Sequence, residues 1–200
     1  SFPKTMGIRM AGVTRRGALA GAALASACAP TLVAPAYEGA VHFNHGVASG
    51  DPKADRVIIW TRVTPERTGP VPVLWVLARD HALTDIVKTG TVEATDSRDY
   101  TVKVDVTELR PGAPYFYGFR AGDQQSPVGK TRTLPTGSLE QLKIAVASCA
   151  SYPHGFFNAY QAIAAHEDLD LVVHLGDYIY EYGVSGYGGE TATALGRIPA

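Results

Sequence analysis

Two nearly uninterrupted apolar runs constrain this chain more than any other feature. Leu142-Lys143-Ile144-Ala145-Val146-Ala147-Ser148-Cys149 is one, and Leu169 to Leu175 is the other. A strand with one face in water alternates polar and apolar residues. A run without alternation predicts a strand covered on both faces. Between the runs, Phe156, Ala159, Tyr160, Ile163 and Glu167 recur at three- and four-residue spacing within 156–167. That spacing predicts one stripe of an amphipathic helix. Strand, helix and strand within about 35 residues predict a βαβ crossover with parallel strands.

In sheets of this kind, ligands bind outside the carboxyl ends of the strands. Cys149 ends the first run. The second ends in Gly176-Asp177, with Tyr180 three residues on. Neighbouring parallel strands bring Cys149 and Asp177 to one sheet edge, and a helical first turn over 177–180 puts Asp177 and Tyr180 on one side. Thiolate, carboxylate and phenolate at one point suggest a metal, because a cation lowers their pKa values enough to deprotonate them. Phenolate is a hard donor that suits iron(III) better than zinc or magnesium, and thiolate tolerates iron. Asp177 has a second oxygen for a second cation. Each residue also has a plainer role. Asp177 can cap a helix, Tyr180 can pack, and Cys149 can be a buried small hydrophobe. His154, in the loop after Cys149, faces the same edge and is the candidate for substrate contact. His174 lies inside the second run and reads as a core histidine; His42 and His45 lie in a β segment and are assigned no chemistry.

The preceding stretch, from about Phe43 to Thr136, has a different texture. Arg56 to Val63, Val71 to Leu77, Asp85 to Ala94, Tyr100 to Val106 and Tyr115 to Arg120 are rich in β-branched and aromatic residues. Val102, Val104 and Val106 alternate with Thr101, Lys103 and Asp105, the period of a half-buried strand. Ser49-Gly50-Asp51-Pro52, Thr68-Gly69-Pro70, Arg110-Pro111-Gly112 and Ala121-Gly122-Asp123 supply turns between the runs. Short strands at this spacing predict an all-β sandwich of the immunoglobulin or fibronectin type III kind. In Leu109-Arg110-Pro111-Gly112-Ala113-Pro114-Tyr115-Phe116-Tyr117, either Tyr115 or Tyr117 is expected to pack a corner and bond backbone through its hydroxyl. Trp60 and Trp75 read as core residues.

The first 36 residues carry Lys4, Arg9, Arg15 and Arg16 and no acid. Gly17 to Ala25 is a short, mildly apolar run, and Ala34-Pro35-Ala36 offers small residues for cleavage. This is the order of a signal peptide. Arg15-Arg16 before a weak apolar segment points to the twin-arginine export machinery. The run is shorter than the ~20 residues of a membrane span. With 1–36 removed, nineteen acids face fourteen basic residues, an excess of about five negative charges. That argues against nucleic acid as a partner, since phosphate binding needs clustered Lys and Arg. Residues 37–136 are expected to form the β-sandwich domain, and 137–200 to open a second domain. The chain begins at Ser1 and ends at Ala200 straight after a glycine-rich stretch, and reads as a piece of a longer protein.

Several segments together resemble the PhoD-like alkaline phosphatase/phosphodiesterase family. They are Arg15-Arg16, Phe43-Asn44-His45-Gly46-Val47-Ala48-Ser49-Gly50-Asp51-Pro52, Ile59-Trp60-Thr61-Arg62, Leu109-Arg110-Pro111-Gly112, Ala147-Ser148-Cys149, and His174-Leu175-Gly176-Asp177-Tyr178-Ile179-Tyr180-Glu181-Tyr182. The resemblance implies a small β-sandwich domain followed by a metallophosphoesterase domain of the calcineurin and purple acid phosphatase type. It implies iron(III) held by Cys149, Asp177 and Tyr180, with Asp177 bridging to calcium. It implies hydrolysis of phosphate mono- and diesters, for phosphate acquisition, by a periplasmic or secreted enzyme. The family's other metal ligands and phosphate-binding groups come later in its chains, so this stretch alone is expected to be inactive. The competing expectations are a phospholipase D-type phosphodiesterase of the same fold and a non-catalytic secreted binding protein.

Overall fold

The computed structural model describes residues 33–180, 182, 186–194 and 196. The export segment expected within 1–36 therefore lies, up to residue 32, outside the described residues.

The strands in chain order are β1 (Val41–His42), β2 (Val47–Gly50), β3 (Val57–Arg62), β4 (Thr64–Pro65), β5 (Val71–Ala78), β6 (Ile86–Ala94), β7 (Thr101–Val106), β8 (Pro114–Ala121), β9 (Gln124–Gln125), β10 (Gly129–Arg132), β11 (Ile144–Ala147) and β12 (Leu171–His174). Helix α1 (Asn158–Ala164) joins the last two strands, and α2 (Gly189–Ala194) follows. The first ten strands are antiparallel. One sheet has the order β2-β3-β7, and another the order β10-β8-β5-β6 with β9 added to β8; β1 pairs with β4.

The alternation in the sequence becomes the core between these two sheets. Val57 and Ile59 of β3 and Val102 and Val106 of β7 are buried together with Val71, Val73 and Leu77 of β5 and Tyr115, Tyr117 and Phe119 of β8. Each such side chain removes apolar area from water, a gain of ~1.5–3 kcal/mol per residue before ordering costs. Arg56, Ile58, Trp60 and Arg62 are the other face of that alternation, and all are only half-buried. Trp60 therefore stands on the outer face of its sheet, opposite Ala48 and Lys103. It is not the core residue the sequence suggested, because the period of two that buries Val57 and Ile59 turns Trp60 outward. Trp75 does pack on the core, from a half-buried position.

The corner before β8 is made by Tyr115. Its ring is 2% exposed, and its hydroxyl accepts a hydrogen bond from the Arg110 amide at 3.0 Å. Thr133 closes the other side, its hydroxyl donating to the Arg110 carbonyl at 2.6 Å. A buried phenol that satisfies a part-buried amide five residues upstream locks the Pro111-Gly112 turn. Tyr117 has a different job. It is buried in the core, and desolvation pushes its phenol pKa up.

Beyond Arg132 the architecture changes. β11 and β12 run parallel, with Ile144, Ala145, Val146 and Ala147 opposite Leu171, Val172, Val173 and His174. Helix α1 is shorter than the 156–167 expected from its spacing. Phe157 at its start sits at φ 58°, and Phe156, Ala159 and Glu167 of the predicted stripe are exposed. The expected double coverage of the two strands is also not what the described residues show. Val146 is 62% exposed, Val172 50% and Leu175 70%. The physical reason is that two strands and a seven-residue helix offer too little apolar area to cover both faces.

Polar contacts tie this segment to the β domain. The Arg132 guanidinium donates to the Asp170 carboxylate at 3.0 Å, and Lys130 donates to the Glu167 carbonyl at 2.7 Å. Asp170 also accepts from the Lys143 amide at 3.0 Å, and Lys143 pairs with Asp168. The Lys143 amide, with Arg132 beside it, holds the Asp170 carboxyl below its ordinary pKa against the opposing effect of desolvation. A depressed carboxyl contributes stability that is full above its unfolded pKa of ~3.9 and is lost as pH falls through the lower folded value. Asp170→Asn is therefore expected to flatten the loss of stability below about pH 4. Acid titration followed by circular dichroism checks this, and an unchanged acid limb contradicts it.

Candidate metal centre

Backbone pairing continues past the ends of β11 and β12. The Leu175 amide donates to Ala147 at 2.9 Å, Cys149 to Gly176 at 3.2 Å and Ala150 to Asp177 at 3.1 Å. Tyr180 then donates to Ala150 at 2.8 Å, and Tyr152 to Tyr180 at 3.2 Å. Ser151 and Tyr180 form an isolated parallel bridge. The stretch 177–180 is thus paired with 149–152, and is not the helical turn the sequence suggested. The carbonyl and amide pairing with the first loop outcompetes helix formation here, since each buried or shielded backbone group takes its partner where one is in reach.

This ladder places Cys149 and Asp177 side by side with left-handed backbones, at φ 54° and φ 51°. Residues with a Cβ avoid that region at a cost of ~1–2 kcal/mol each, and such strain collects at functional sites. The cysteine thiol lies 3.7 Å from Asp177 Oδ2. Cys149 is exposed and unpaired, so it is not the buried hydrophobe that a lone cysteine suggests. Hydrogen bonding to the Asp177 carboxylate pushes the Tyr180 phenol pKa up to about 12; desolvation adds to this, as do the Asp177 and Cys149 charges and a hydrogen bond to Cys149. Cys149, Asp177 and Tyr180 therefore meet at one point.

Among the described residues no three His, Cys, Asp or Glu side chains gather in metal-binding range. The trio draws its third donor from tyrosine. Its chemistry fits a cation: three acidic donors crowd together, and the raised phenol pKa shows that the grouping opposes a further negative charge unless a positive one offsets it.

His154 sits nearby, its Nδ1 2.7 Å from Ser151 Oγ and its ring 5.0 Å from that of Tyr187. It lines a groove along α1 together with Cys149, Phe157, Tyr160 and Ile163. His174 is not aimed at the trio. It bonds Tyr160 and the Gly176 amide. His42 and His45 lie on the β domain, where His45 bonds Arg62 at 2.8 Å beside the Arg62–Asp99 ion pair. The role of Tyr160 escapes a reading by residue type, since a tyrosine on an apolar helix stripe carries no signal of its partner.

Two packed antiparallel sheets, followed by parallel strands with acidic donors at their carboxyl edge, define a two-part protein with a candidate metal edge. Residues 27–135 match the family described as the PhoD-like phosphatase N-terminal domain, and 144–198 match the PhoD-like phosphatase. The chain belongs to the PhoD-like phosphatase family. It is 45% identical over 158 residues to alkaline phosphatase D of Bacillus subtilis (strain 168), a match over 74% of this chain and 27% of that protein. The solved structure of PhoD superposes with a TM-score of 0.69 at 44% identity, over 75% of this chain and 30% of that chain. The chain thus spans less than a third of the length of these relatives.

The strain at position 149 is separable from its chemistry. Cys149→Gly and Cys149→Ala both remove the thiol, but only glycine relieves the left-handed backbone. The glycine variant is expected to be more stable than the alanine variant by about 0.5–1 kcal/mol, the strain relieved less glycine's unfolded-state cost. Urea denaturation compares them; equal midpoints contradict the strain.

Proposed function

We propose that this chain is part of an exported, metal-dependent phosphoesterase that hydrolyses phosphate mono- and diesters for phosphate acquisition. The observation that supports this most directly is the convergence of Cys149, Asp177 and Tyr180 at the paired strand ends. Membership of the phosphatase family and likeness to alkaline phosphatase D support the reaction class. In this reading 37–136 is the immunoglobulin- or fibronectin-like sandwich domain, and 137–200 opens the catalytic domain with a βαβ unit.

Cys149, Asp177 and Tyr180 would hold iron(III), and the second oxygen of Asp177 would face calcium. When bound, these cations supply positive charge that offsets the charge developing on the phosphoryl oxygens. The chain's own residues do the rest. The backbone ladder fixes the spacing of the three donors. Tyr180 and the thiol would hold the cation in their deprotonated forms, so metal uptake would be coupled to proton release. His154, anchored by Ser151, stands on the same groove as Cys149 and would contact the substrate phosphate or its leaving group. The acidic balance after residue 36 argues against a nucleic-acid partner. Among the described residues no helix is long and apolar enough to cross a membrane, and the twin-arginine segment would place the enzyme in the periplasm or outside the cell.

The test is Tyr180→Phe in the full-length protein. Loss of the visible absorption from phenolate to iron(III) is expected, with metal affinity down by more than the ~10–100-fold typical of outer-shell changes. Hydrolysis of aryl phosphate mono- and diesters should fall with it, and should stop when the wild type is stripped by a chelator. Full activity after chelation contradicts the proposal.

A further inference from the structure

We infer that His174 and Tyr160 are positioning residues that clamp the backbone on both sides of Asp177. The hydrogen bonds have only one consistent direction. The Gly176 amide donates to His174 Nδ1 at 3.2 Å, so Nδ1 carries a lone pair. The ring proton therefore sits on Nε2, which lies 2.8 Å from the Tyr160 hydroxyl. That oxygen accepts from His174, and its own proton goes to the Tyr178 carbonyl at 3.2 Å. The relay starts at the residue before Asp177 and ends at the residue after it.

The first link has the form of an Asx turn, in which a side chain accepts from the amide two residues on. Here an imidazole plays the part of the Asx oxygen. It holds Gly176 at φ 111° and launches Asp177 into its left-handed conformation. Packing reinforces the second link. The Tyr160 ring stacks on Tyr178 at 5.9 Å and 16°, and His174 meets Tyr178 edge-on at 5.4 Å. Phe157 also stacks on Tyr160, at 5.8 Å and 4°. Helix α1 is thereby tied to the loop that carries the candidate ligand. Metal ligands lose affinity when the groups orienting them are removed, so the clamp sets the position of Asp177 without touching the cation. This inference rests on the metal reading of Cys149, Asp177 and Tyr180.

The experiment uses three variants of the full-length protein and two readouts. His174→Asn keeps an acceptor at the Nδ1 position, while His174→Gln keeps only the Nε2-like end; Tyr160→Phe removes one hydroxyl. The first readout is amide hydrogen exchange at Gly176 in metal-free protein, with the amides of Val57–Arg62 as the control for folding. The second is the affinity for iron(III). In His174→Gln, Gly176 should exchange roughly fivefold to tenfold faster, and iron should bind ~10–100-fold more weakly. His174→Asn should restore the Gly176 protection. Tyr160→Phe should leave Gly176 protected yet weaken iron by a similar factor. If Gly176 keeps its protection in His174→Gln, or if Asn is no better than Gln, the clamp is wrong. If the folding control shows that the His174 variants unfold, Tyr160→Phe decides, and wild-type iron affinity there overturns the inference. A wild type with no iron affinity sinks the metal reading alone, since exchange at Gly176 is measured without metal.

Discussion

The arrangement of this chain depends on backbone pairing that outlasts its strands. β11 and β12 are only four residues each, but the loops after them stay paired through Cys149, Ala150, Tyr152, Leu175 and Tyr180. Two residues with side chains must enter the left-handed region for that to happen. Once they do, the thiol, the carboxylate and the phenol have nowhere to go but toward one another. The strain and the donor set are thus one feature: the ladder that imposes the first produces the second.

The β domain supplies a rigid body for this edge to lean on. Its core is made of the inward residues of two sheets, and its corner at Tyr115 is fixed by a single phenol-to-amide bond. Arg132 and Lys130 at the end of that domain reach Asp170 and the Glu167 carbonyl, just before β12 begins. The contacts are polar and exposed, worth little each in water. They act at the entrance to β12. Helix α1 contributes mainly through Tyr160, which reaches across to His174 and Tyr178.

Much of this was legible in the residues, and the exceptions have physical causes. The β-branched and aromatic runs and the turn signals located β3, β5, β6, β7 and β8 to within a residue or two, while the short strands β1, β2, β4, β9 and β10 carry too few residues to show a period. The apolar runs at 142–149 and 169–175 located the parallel pair, and Gly176-Asp177 marked where the second run stops. The burial expected for those runs was not found among the described residues, because composition reports what a strand is suited to pack against and not what is there. The conformation of 177–180 differs from the expected helical turn because a chain that starts at a left-handed Asp177 also brings Asp177 and Tyr180 to one side, and only pairing with 149–152 decides between the two. Trp60 stands outside the core because position along the strand, and not residue type, decides which face a side chain takes. The link between Tyr160 and His174 could not be read at all, since it depends on how a helix sits over a strand end.

We propose that Cys149, Asp177 and Tyr180 form one edge of an iron site. X-ray absorption at the iron edge of the full-length protein, wild type beside Cys149→Ser, tests it most directly. A sulfur scatterer is expected among the nearest neighbours of the wild-type iron, vanishing in the variant while light-atom ligands persist. Identical spectra for the two proteins, or a wild type that takes up no iron, would contradict it.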